Sequence, residues 1–146
     1  MHLRRAETRD SDDLLAWRND PEARAASRNT GRVAPADHDR WLTGVLADPA
    51  RMLLVAENAG GKIGTVRFDP LPDGWEVNIN VAPERRGLGL GAALLGQAMR
   101  RLHADQPGAK VIAYVRADNA ASLRLFEAAG FRLASEENGL KRLEHR

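Results

Sequence analysis

Length, composition and charge leave few classes of protein open. The 146 residues are enough to enclose one hydrophobic core, so we expect a single domain over residues 1–146. The composition is 43% hydrophobic and 29% charged, and no apolar run approaches the roughly 20 residues of a membrane span, which predicts a soluble, cytoplasmic protein without a membrane partner. The polar start up to Glu7 does not resemble a signal peptide. The absence of cysteine excludes thiolate chemistry, and scattered arginines with a net charge of +2 argue against nucleic-acid binding.

The first half of the chain predicts a strand, two helices and a hairpin. In chain order these elements are a strand from Leu3 to Thr8, a helix from Asp10 or Ser11 to about Arg18, a helix from Ala36 to Leu46, and strands from Met52 to Glu57 and from Lys62 to Asp69. We expect Pro21 to interrupt the first helix, because proline cannot continue the hydrogen-bond ladder. The stretch from Asn58 to Gly61 favours a tight turn.

The second half predicts two further strands, two helices and a closing hairpin of two strands. Its elements are a strand from Trp75 to Val81, a helix from Gly89 to about His103, a strand from Val111 to Val115, a helix from Ala120 to Ala129, and a hairpin of Phe131 to Ala134 with Leu140 to Leu143. Pro70 to Gly74 is a turn, and Gly130 is placed for a left-handed helix cap. The fold class is therefore α/β (α+β), with a single mixed, mostly antiparallel sheet flanked by helices on both faces.

A glycine-rich turn links the strand ending at Val81 to the following helix. Pro83 stops the sheet pairing, and glycines follow at positions 87, 89 and 91. Glycines let a ligand approach the main chain closely, and the first N–H groups of a helix bind anions. A diphosphate is the ligand that this chemistry favours.

Two other interpretations of the glycines stay open at this point. The first is a tight strand-to-helix corner without a ligand. The second is a loose dinucleotide fingerprint, Gly87-x-Gly89-x-x-Ala92, with Asp118 as the ribose-binding acid. Against it, Pro83 to Arg86 separates the strand from the glycines, and too little sequence follows for a second nucleotide half.

Two ordered segments carry a family resemblance. Val81 to Leu95 resembles the acetyl-CoA segment of GCN5-related N-acetyltransferases, with the core Arg-x-x-Gly-x-Gly at Arg86, Gly89 and Gly91. Asn119 to Phe131 resembles the family's second element, Asn-x-x-Ala/Ser-x-x-Leu-Tyr-x-x-x-Gly-Phe. The resemblance implies acetyl-CoA as cofactor and an amine as acceptor. The four histidines are dispersed and lack metal-ligand spacing, so no metal is expected.

The resemblance also implies which residues contact the coenzyme. The pyrophosphate is expected on the main-chain N–H groups of Arg86, Gly87, Leu88, Gly89, Leu90, Gly91 and Ala92, the pantetheine along Ile79, Asn80 and Val81, and further contacts at Asn119, Ser122 and Phe126. From the residues alone, Asn119 is equally well explained as a helix N-cap. Phe126 is better explained by core packing.

Direct acetyl transfer needs a base for the amine and a proton for the thiolate that leaves. Glu76 is the candidate base, on the polar face of the strand that meets the cofactor, with Asn78 and Asn80 placed to orient the amine or a water. A solvated carboxylate is the alternative for Glu76. Many family members carry a tyrosine as acid where this chain has Phe126, so Tyr114 is the candidate substitute, with core packing or a water-borne proton as alternatives.

The first half is expected to supply the acceptor site. It resembles the branch with amino-sugar-nucleotide and ribosomal-protein N-terminal acetyltransferases, and the candidate substrate-binding residues are Trp17, Arg18, Asn19, Arg28 and Trp41. Arginine suits bidentate binding of phosphate or carboxylate, although solvated arginines and core tryptophans are the simpler interpretation. An amino-sugar nucleotide is the first candidate acceptor, and a protein or peptide N-terminus is the alternative acceptor. The alternative function is a non-catalytic acyl-CoA-binding module. We expect a monomer or a homodimer.

Overall fold

Seven strands form one mixed sheet in the computed structural model, which describes all 146 residues. The strands are β1 (His2–Arg5), β2 (Met52–Asn58), β3 (Gly61–Leu71), β4 (Gly74–Val81), β5 (Val111–Arg116), β6 (Arg132–Glu137) and β7 (Leu140–His145). Their order across the sheet is β1-β2-β3-β4-β5-β7-β6. Every neighbouring pair is antiparallel except β4 and β5, which are parallel. The expected fold class is confirmed.

Five helices cover the two faces of the sheet. They are α1 (Ser11–Asn19), α2 (Pro21–Ala26), α3 (Pro35–Ala47), α4 (Leu90–Asp105) and α5 (Ala120–Ala128). Alternate residues of β2 face opposite sides, as a strand requires: Leu54 joins the core with α4 and α5, whereas Leu53 joins the core with α1 and α3. The sheet therefore separates two apolar cores. No helix of the structure combines the length and apolar character needed to cross a membrane.

The two central strands separate after a short parallel contact. β4 pairs with β5 only at Trp75 with Val111 and at Glu76 with Ile112, whereas its other edge pairs with β3 over its whole length. β5 continues beside β7 instead. Residues 77–81 consequently have no strand neighbour on the β5 side, and a gap opens in the middle of the sheet. We call this gap the β4–β5 opening.

Most predicted elements match, with two corrections near the N-terminus. Pro21 does not end the helical region but begins α2, because Asp20 caps it by accepting the Ala23 N–H (3.1 Å) and proline suits the first helical position. The first strand ends at Arg5 rather than Thr8. The chain turns there into a 3-10 turn from Thr8 to Asp10, where the Asp10 carboxylate accepts the Glu7 N–H at 2.8 Å.

Candidate functional site

The glycine-rich turn between β4 and α4 presents a series of free hydrogen-bond donors. Gly87 and Gly89 have φ of +77° and +73°, which only glycine adopts without strain, and α4 begins at Leu90. The main-chain N–H groups of residues 87–92 donate none of the hydrogen bonds found in turns and loops or to side chains. A Cβ added at Gly87 or Gly89 meets no protein atom within 4 Å, so their outer side is open. The turn can therefore accept an anionic group on its backbone.

The Arg86 side chain anchors the turn from behind. Its Nη1 donates to Asp20 Oδ2 (2.7 Å) and to Glu22 Oε2 (2.8 Å), and its Nε donates to the Val81 carbonyl (3.2 Å). The hydrogen bond from Arg86 also lowers the pKa of Asp20, against a smaller opposing effect of burial. The guanidinium thus ties the turn to the start of α2. The Arg86 main-chain N–H donates to the Pro83 carbonyl at 3.4 Å, so the free donors of the turn begin at Gly87 and the predicted pyrophosphate contact at Arg86 stays a prediction.

The β4–β5 opening runs from this turn towards Glu76. The free edge of β4 covers residues 77–81, about 13 Å at the rise of a β-strand. Ile79, Asn80 and Val81, the residues predicted to follow the pantetheine, all lie on this stretch. Glu76 makes the last parallel pair before the strands separate, so it lies at the closed end of the opening. An extended ligand bound at the turn would reach Glu76 by adding to the free edge of β4.

Asn119, Ser122 and Phe126 lie where α5 starts and packs. The Asn119 side chain accepts the Ser122 N–H (3.1 Å), which makes Asn119 the N-cap of α5. Phe126 is 4% exposed and packs edge-on against Phe131 at 5.0 Å between ring centres, in the core with α4. The Phe126 ring therefore serves core packing, and Ser122 is half-buried. Their contacts with a coenzyme stay predictions.

Glu76 and Tyr114 share the face of the sheet that α1 and α3 cover. Arg28, from the loop after α2, donates to Glu76 Oε2 at 2.8 Å, and its guanidinium carbon lies 5.0 Å from the centre of the Tyr114 ring. Arg142 donates to the Tyr114 hydroxyl at 3.0 Å. Because Glu76 is level with Ile112 in the parallel pair, Tyr114 lies two residues further along β5, level with Asn78 across the gap. Arg28 thus spans the β4–β5 opening from one wall to the other.

The two asparagines of β4 differ in whether their side chains are free to contact a ligand. Asn78 is exposed on the same face as Glu76, because side chains two residues apart share a face. The Asn80 amide donates to the Trp17 carbonyl at 3.2 Å and accepts weakly from Arg86 at 3.4 Å. Asn80 is therefore committed to joining β4, α1 and the turn, whereas Asn78 is free to meet a ligand.

The residues predicted to bind the acceptor separate into framework and surface groups. Trp17 is 6% exposed within the core of α1 and α3, which agrees with core packing, the simpler interpretation of this residue. Stacking of its ring on a substrate stays a prediction. Asn19 exchanges two hydrogen bonds with the main chain of Val33, at 2.7 and 2.9 Å, which fixes the loop before α3. The Trp41 ring is half-buried beneath the Arg67 guanidinium, at 5.2 Å.

Arg18 and Arg28 are the two predicted acceptor residues whose charged groups meet in one loop. Arg18 Nη2 donates to the carbonyl of Asn29 at 2.8 Å, the residue next to Arg28. The other terminal nitrogen of Arg18, Nη1, is buried without a hydrogen-bond partner. The loop after α2 therefore brings both arginines over the face that carries Glu76.

A cleft of about 560 Å³ lies beside Tyr114 on the same side of the sheet. Its walls include Arg28, Arg116 and Arg142 together with the turn between β6 and β7. This volume lies in the usual range of small-ligand sites, about 300–1,000 Å³. A second cleft, of about 790 Å³ and lined by acidic residues of α1, lies apart from Glu76.

The arrangement agrees with comparisons against known proteins. Residues 1–132 match the family described as the acetyltransferase (GNAT) domain. The chain belongs to the GNAT acetyltransferase family. It is 33% identical over 129 residues to a mycothiol acetyltransferase of Clavibacter sepedonicus, covering 86% of this chain but only 41% of that protein. A putative phosphinothricin acetyltransferase of Bacillus subtilis is 33% identical, with 90% of this chain and 83% of the relative covered.

A solved structure supports the GNAT fold over nearly the whole chain. Spermidine N-acetyltransferase from Vibrio cholerae, in complex with CoA and spermine, superposes with a TM-score of 0.87 at 21% identity, covering 99% of this chain and 94% of that one. At this identity the likeness shows the fold. The chain spans about two fifths of the mycothiol acetyltransferase, so that enzyme's activity as a whole is not transferred to it.

The GNAT domain uses acetyl-CoA, whose thioester supplies an activated acetyl group, and the residues present fit this coenzyme. The unpaired N–H groups of residues 87–92 suit a pyrophosphate, and the free edge of residues 77–81 suits the amide-bearing pantetheine. The dinucleotide fingerprint finds no support, because the strand before the turn is paired along its whole length with an antiparallel neighbour, whereas a dinucleotide fold places this strand inside a parallel sheet.

Sequence reasoning missed several polar residues around this site. Arg142 joins Tyr114, Asp73 and Glu144 through hydrogen bonds of 2.7 to 3.0 Å, and Arg67 stands beside Asn78 across the β3–β4 pair. These contacts link residues up to 69 positions apart. Only a signal of long-range pairing, which one sequence does not contain, would have revealed them.

Proposed function

We propose that the chain transfers the acetyl group of acetyl-CoA directly to a primary amine of a small molecule. The observation that carries this proposal is the β4–β5 opening, which connects the free N–H groups of the glycine-rich turn to Glu76. One end of this path suits a diphosphate, and the other end holds a carboxylate. A base is what an amine needs at the moment it attacks a thioester.

Glu76 is the proposed base. Its side chain is 15% exposed, and the Arg28 guanidinium donates to it at 2.8 Å, so a cationic nitrogen group fits against this carboxylate. An acceptor ammonium can take the same place when Arg28, whose side chain is 55% exposed, moves towards solvent. Glu76 then removes a proton, directly or through a water, and Asn78 helps to orient the amine.

Tyr114 is the proposed donor of the proton that the CoA thiolate receives. Its hydroxyl accepts a hydrogen bond from Arg142, which leaves its own O–H proton available for donation. Phe126, at the position where many family members have tyrosine, carries no proton and is buried in the core. Tyr114 lies across the opening from Asn78, on the wall that faces the expected thioester.

The acceptor is proposed to be a small molecule. The cleft beside Tyr114 has the size of a small-ligand site. Two relatives and one structural neighbour are also named as acetyltransferases of small molecules: mycothiol, phosphinothricin (a putative enzyme) and spermidine. An amino-sugar nucleotide stays one member of the candidate set, as does a peptide N-terminus.

The test is a thiol-release assay with acetyl-CoA and a panel of amino acids, aminophosphonates, amino-sugar nucleotides, polyamines and N-terminal peptides. Turnover with at least one amine is expected. Glu76→Gln should lower kcat by about 10²- to 10⁴-fold without changing acetyl-CoA affinity, because only proton removal is lost. The matched control is Glu136→Gln on β6, where the carboxylate is 47% exposed and contacts only Lys141.

Two outcomes would contradict the proposal. Acetyl-CoA binding without turnover on any amine would favour the non-catalytic acyl-CoA-binding module. Full activity of Glu76→Gln, with an unchanged pH profile of kcat, would remove Glu76 as the base.

A further inference from the structure

Arginines dominate the surroundings of the proposed acceptor site. Five arginines are linked to this site by ion pairs, hydrogen bonds or electrostatic proximity, and two carboxylates, Asp69 and Glu76, pair with some of them. The arginines are Arg18, Arg24, Arg28, Arg51 and Arg67. Arg51 and Arg67 share Asp69, at 2.7 and 2.8 Å, and Arg28 takes Glu76. No carboxylate remains for Arg18 or Arg24, which donate to main-chain carbonyls instead. Arg18 and Arg24 therefore carry positive charges that no carboxylate of the protein pairs with directly.

Arg18 shows this imbalance most clearly. Its Nη2 bonds the Asn29 carbonyl, but its Nη1 is buried and has no partner. Burial lowers the pKa of Arg18, and the charges of Arg24 and Arg67 lower it further. A guanidinium presents its donors in a planar fork that matches an oxyanion. Arg18 therefore has one unsatisfied donor, which an oxyanion placed beside it would satisfy.

The position of Arg18 relates it to the proposed base. The carbonyl that it holds belongs to Asn29, and the preceding residue, Arg28, reaches Glu76. Arg67, which contributes to the field at Arg18, is level with Asn78 in the β3–β4 pair, two residues from Glu76 on the same face. The uncompensated charge thus lies on the same face of the sheet as Glu76, beside the place where the amine must bind.

We infer that the acceptor carries an anionic oxyacid group, a carboxylate or a phosphate-type group, close to its reactive amine, and that Arg18 with Arg67 binds this group. The inference rests on the proposed function for the amine and adds the class of molecule that bears it. A zwitterion satisfies both halves of the site, its ammonium at Glu76 and its oxyanion at Arg18. A polyamine places a second cation at Arg18 and is disfavoured.

Matched pairs of amines that differ only in the anion test the inference directly. One pair is methionine and 3-(methylthio)propylamine, and the other is 2-aminoethyl phosphate and ethanolamine. The anionic member of at least one pair should have the higher kcat/KM by about tenfold or more, as expected for a charge-assisted contact. The pair that shows the preference distinguishes carboxylate from phosphate. Equal or higher kcat/KM for the member without the anion, in both pairs, would overturn the inference.

Variants separate a binding role of Arg18 from a structural one. Arg18→Gln should raise KM for the member that carries the anion, so that the ratio of the two kcat/KM values within a pair falls towards one. The kcat/KM of the member without the anion should be kept. Arg18→Lys, which retains the charge, should restore part of the preference and replaces the Gln variant if that variant does not fold. The control is Arg40→Gln on α3, where the side chain is 73% exposed and contacts Asp37. An equal loss for both members of a pair would show that Arg18 acts only in folding.

Binding of the anion alone keeps this inference separate from the proposed function. Calorimetry with inorganic phosphate and with 3-(methylthio)propionate, without acetyl-CoA, should show binding to the wild-type chain that weakens about tenfold or more in Arg18→Gln. If no amine is acetylated but this binding depends on Arg18, the anion site stands and the acetyl transfer fails. If neither anion binds the wild-type chain, the anion site is refuted even where amines are acetylated.

Discussion

Replacement of Gly89 by alanine probes how the glycine-rich turn works. Gly89 has φ of +73°, and an added Cβ would meet no protein atom within 4 Å. The substitution should therefore cost only the strain of a left-handed residue, about 1–2 kcal/mol in the free energy of unfolding. The added methyl group projects into the open side of the turn, where the pyrophosphate is expected. Loss of one charge-assisted hydrogen bond there would cost about 1.5–3 kcal/mol, or roughly 10- to 150-fold in the Kd for CoA.

Two other glycines provide matched controls for Gly89→Ala. Gly108 has φ of +74° and equally open surroundings, but it follows the far end of α4. Gly108→Ala should lose the same stability without changing the Kd. Gly96 lies inside α4 with ordinary contacts, so Gly96→Ala should gain about 0.5–1 kcal/mol. Urea denaturation measures the stabilities, and calorimetry measures the Kd. If Gly89→Ala lost stability but bound CoA like Gly108→Ala, the turn would be only a corner.

Three further predictions concern stability, pH and proton donation. Asp10→Ala should destabilise the fold by about 3 kcal/mol in urea denaturation, because Arg4, 2.8 Å from the fully buried Asp10 carboxylate, loses its main partner, whereas Asp37→Ala at the surface should cost under about 1 kcal/mol. Burial, with a smaller contribution from a neighbouring histidine, lowers the pKa of His145, so the unfolded chain takes up the proton first and stability should fall as pH drops below about 6.5. His145→Gln should flatten this loss between pH 7.5 and 5.5, and an unchanged slope would refute the explanation. Tyr114→Phe should lower kcat by about 10²-fold or more with unchanged acetyl-CoA affinity, and an unchanged kcat would show that Tyr114 is not the proton donor.

The sequence predicted the order of elements because its local signals are strong. Apolar and polar residues alternate from Trp75 to Val81, and apolar residues recur at helical spacing from Leu90 to Leu102. Both patterns arise because each element buries one face. The prediction that Pro21 interrupts the helical region was wrong. Proline can either break a helix or begin one, and the Asp20 cap, which the structure shows, decides that Pro21 begins α2. The separation of β4 from β5 was not predictable, since pairing between distant strands leaves no local pattern.

The candidate site was predictable where its function resides in the main chain. The turn at residues 86–92 is recognisable because glycine is required by the backbone angles. Side-chain partners were not recognisable, because a sequence does not show which arginine meets which carboxylate. The hydrogen bond from Asn80 to the Trp17 carbonyl, which joins β4 to α1, is one such partner. The ligand contacts predicted for Asn80 and Trp17 stay predictions. A cytoplasmic location, a single domain and the monomer or homodimer state stay predictions.

Hydrogen–deuterium exchange of the main-chain amides, with and without acetyl-CoA, tests most directly whether the coenzyme lies in the β4–β5 opening. The free chain should exchange rapidly at residues 87–92, whose N–H groups have no acceptor, and at alternate positions of residues 77–81 on the free edge of β4. Acetyl-CoA should slow exchange at both stretches together. Protection confined to the acidic cleft beside α1, or bound acetyl-CoA with no slowing at residues 87–92, would contradict the proposed site.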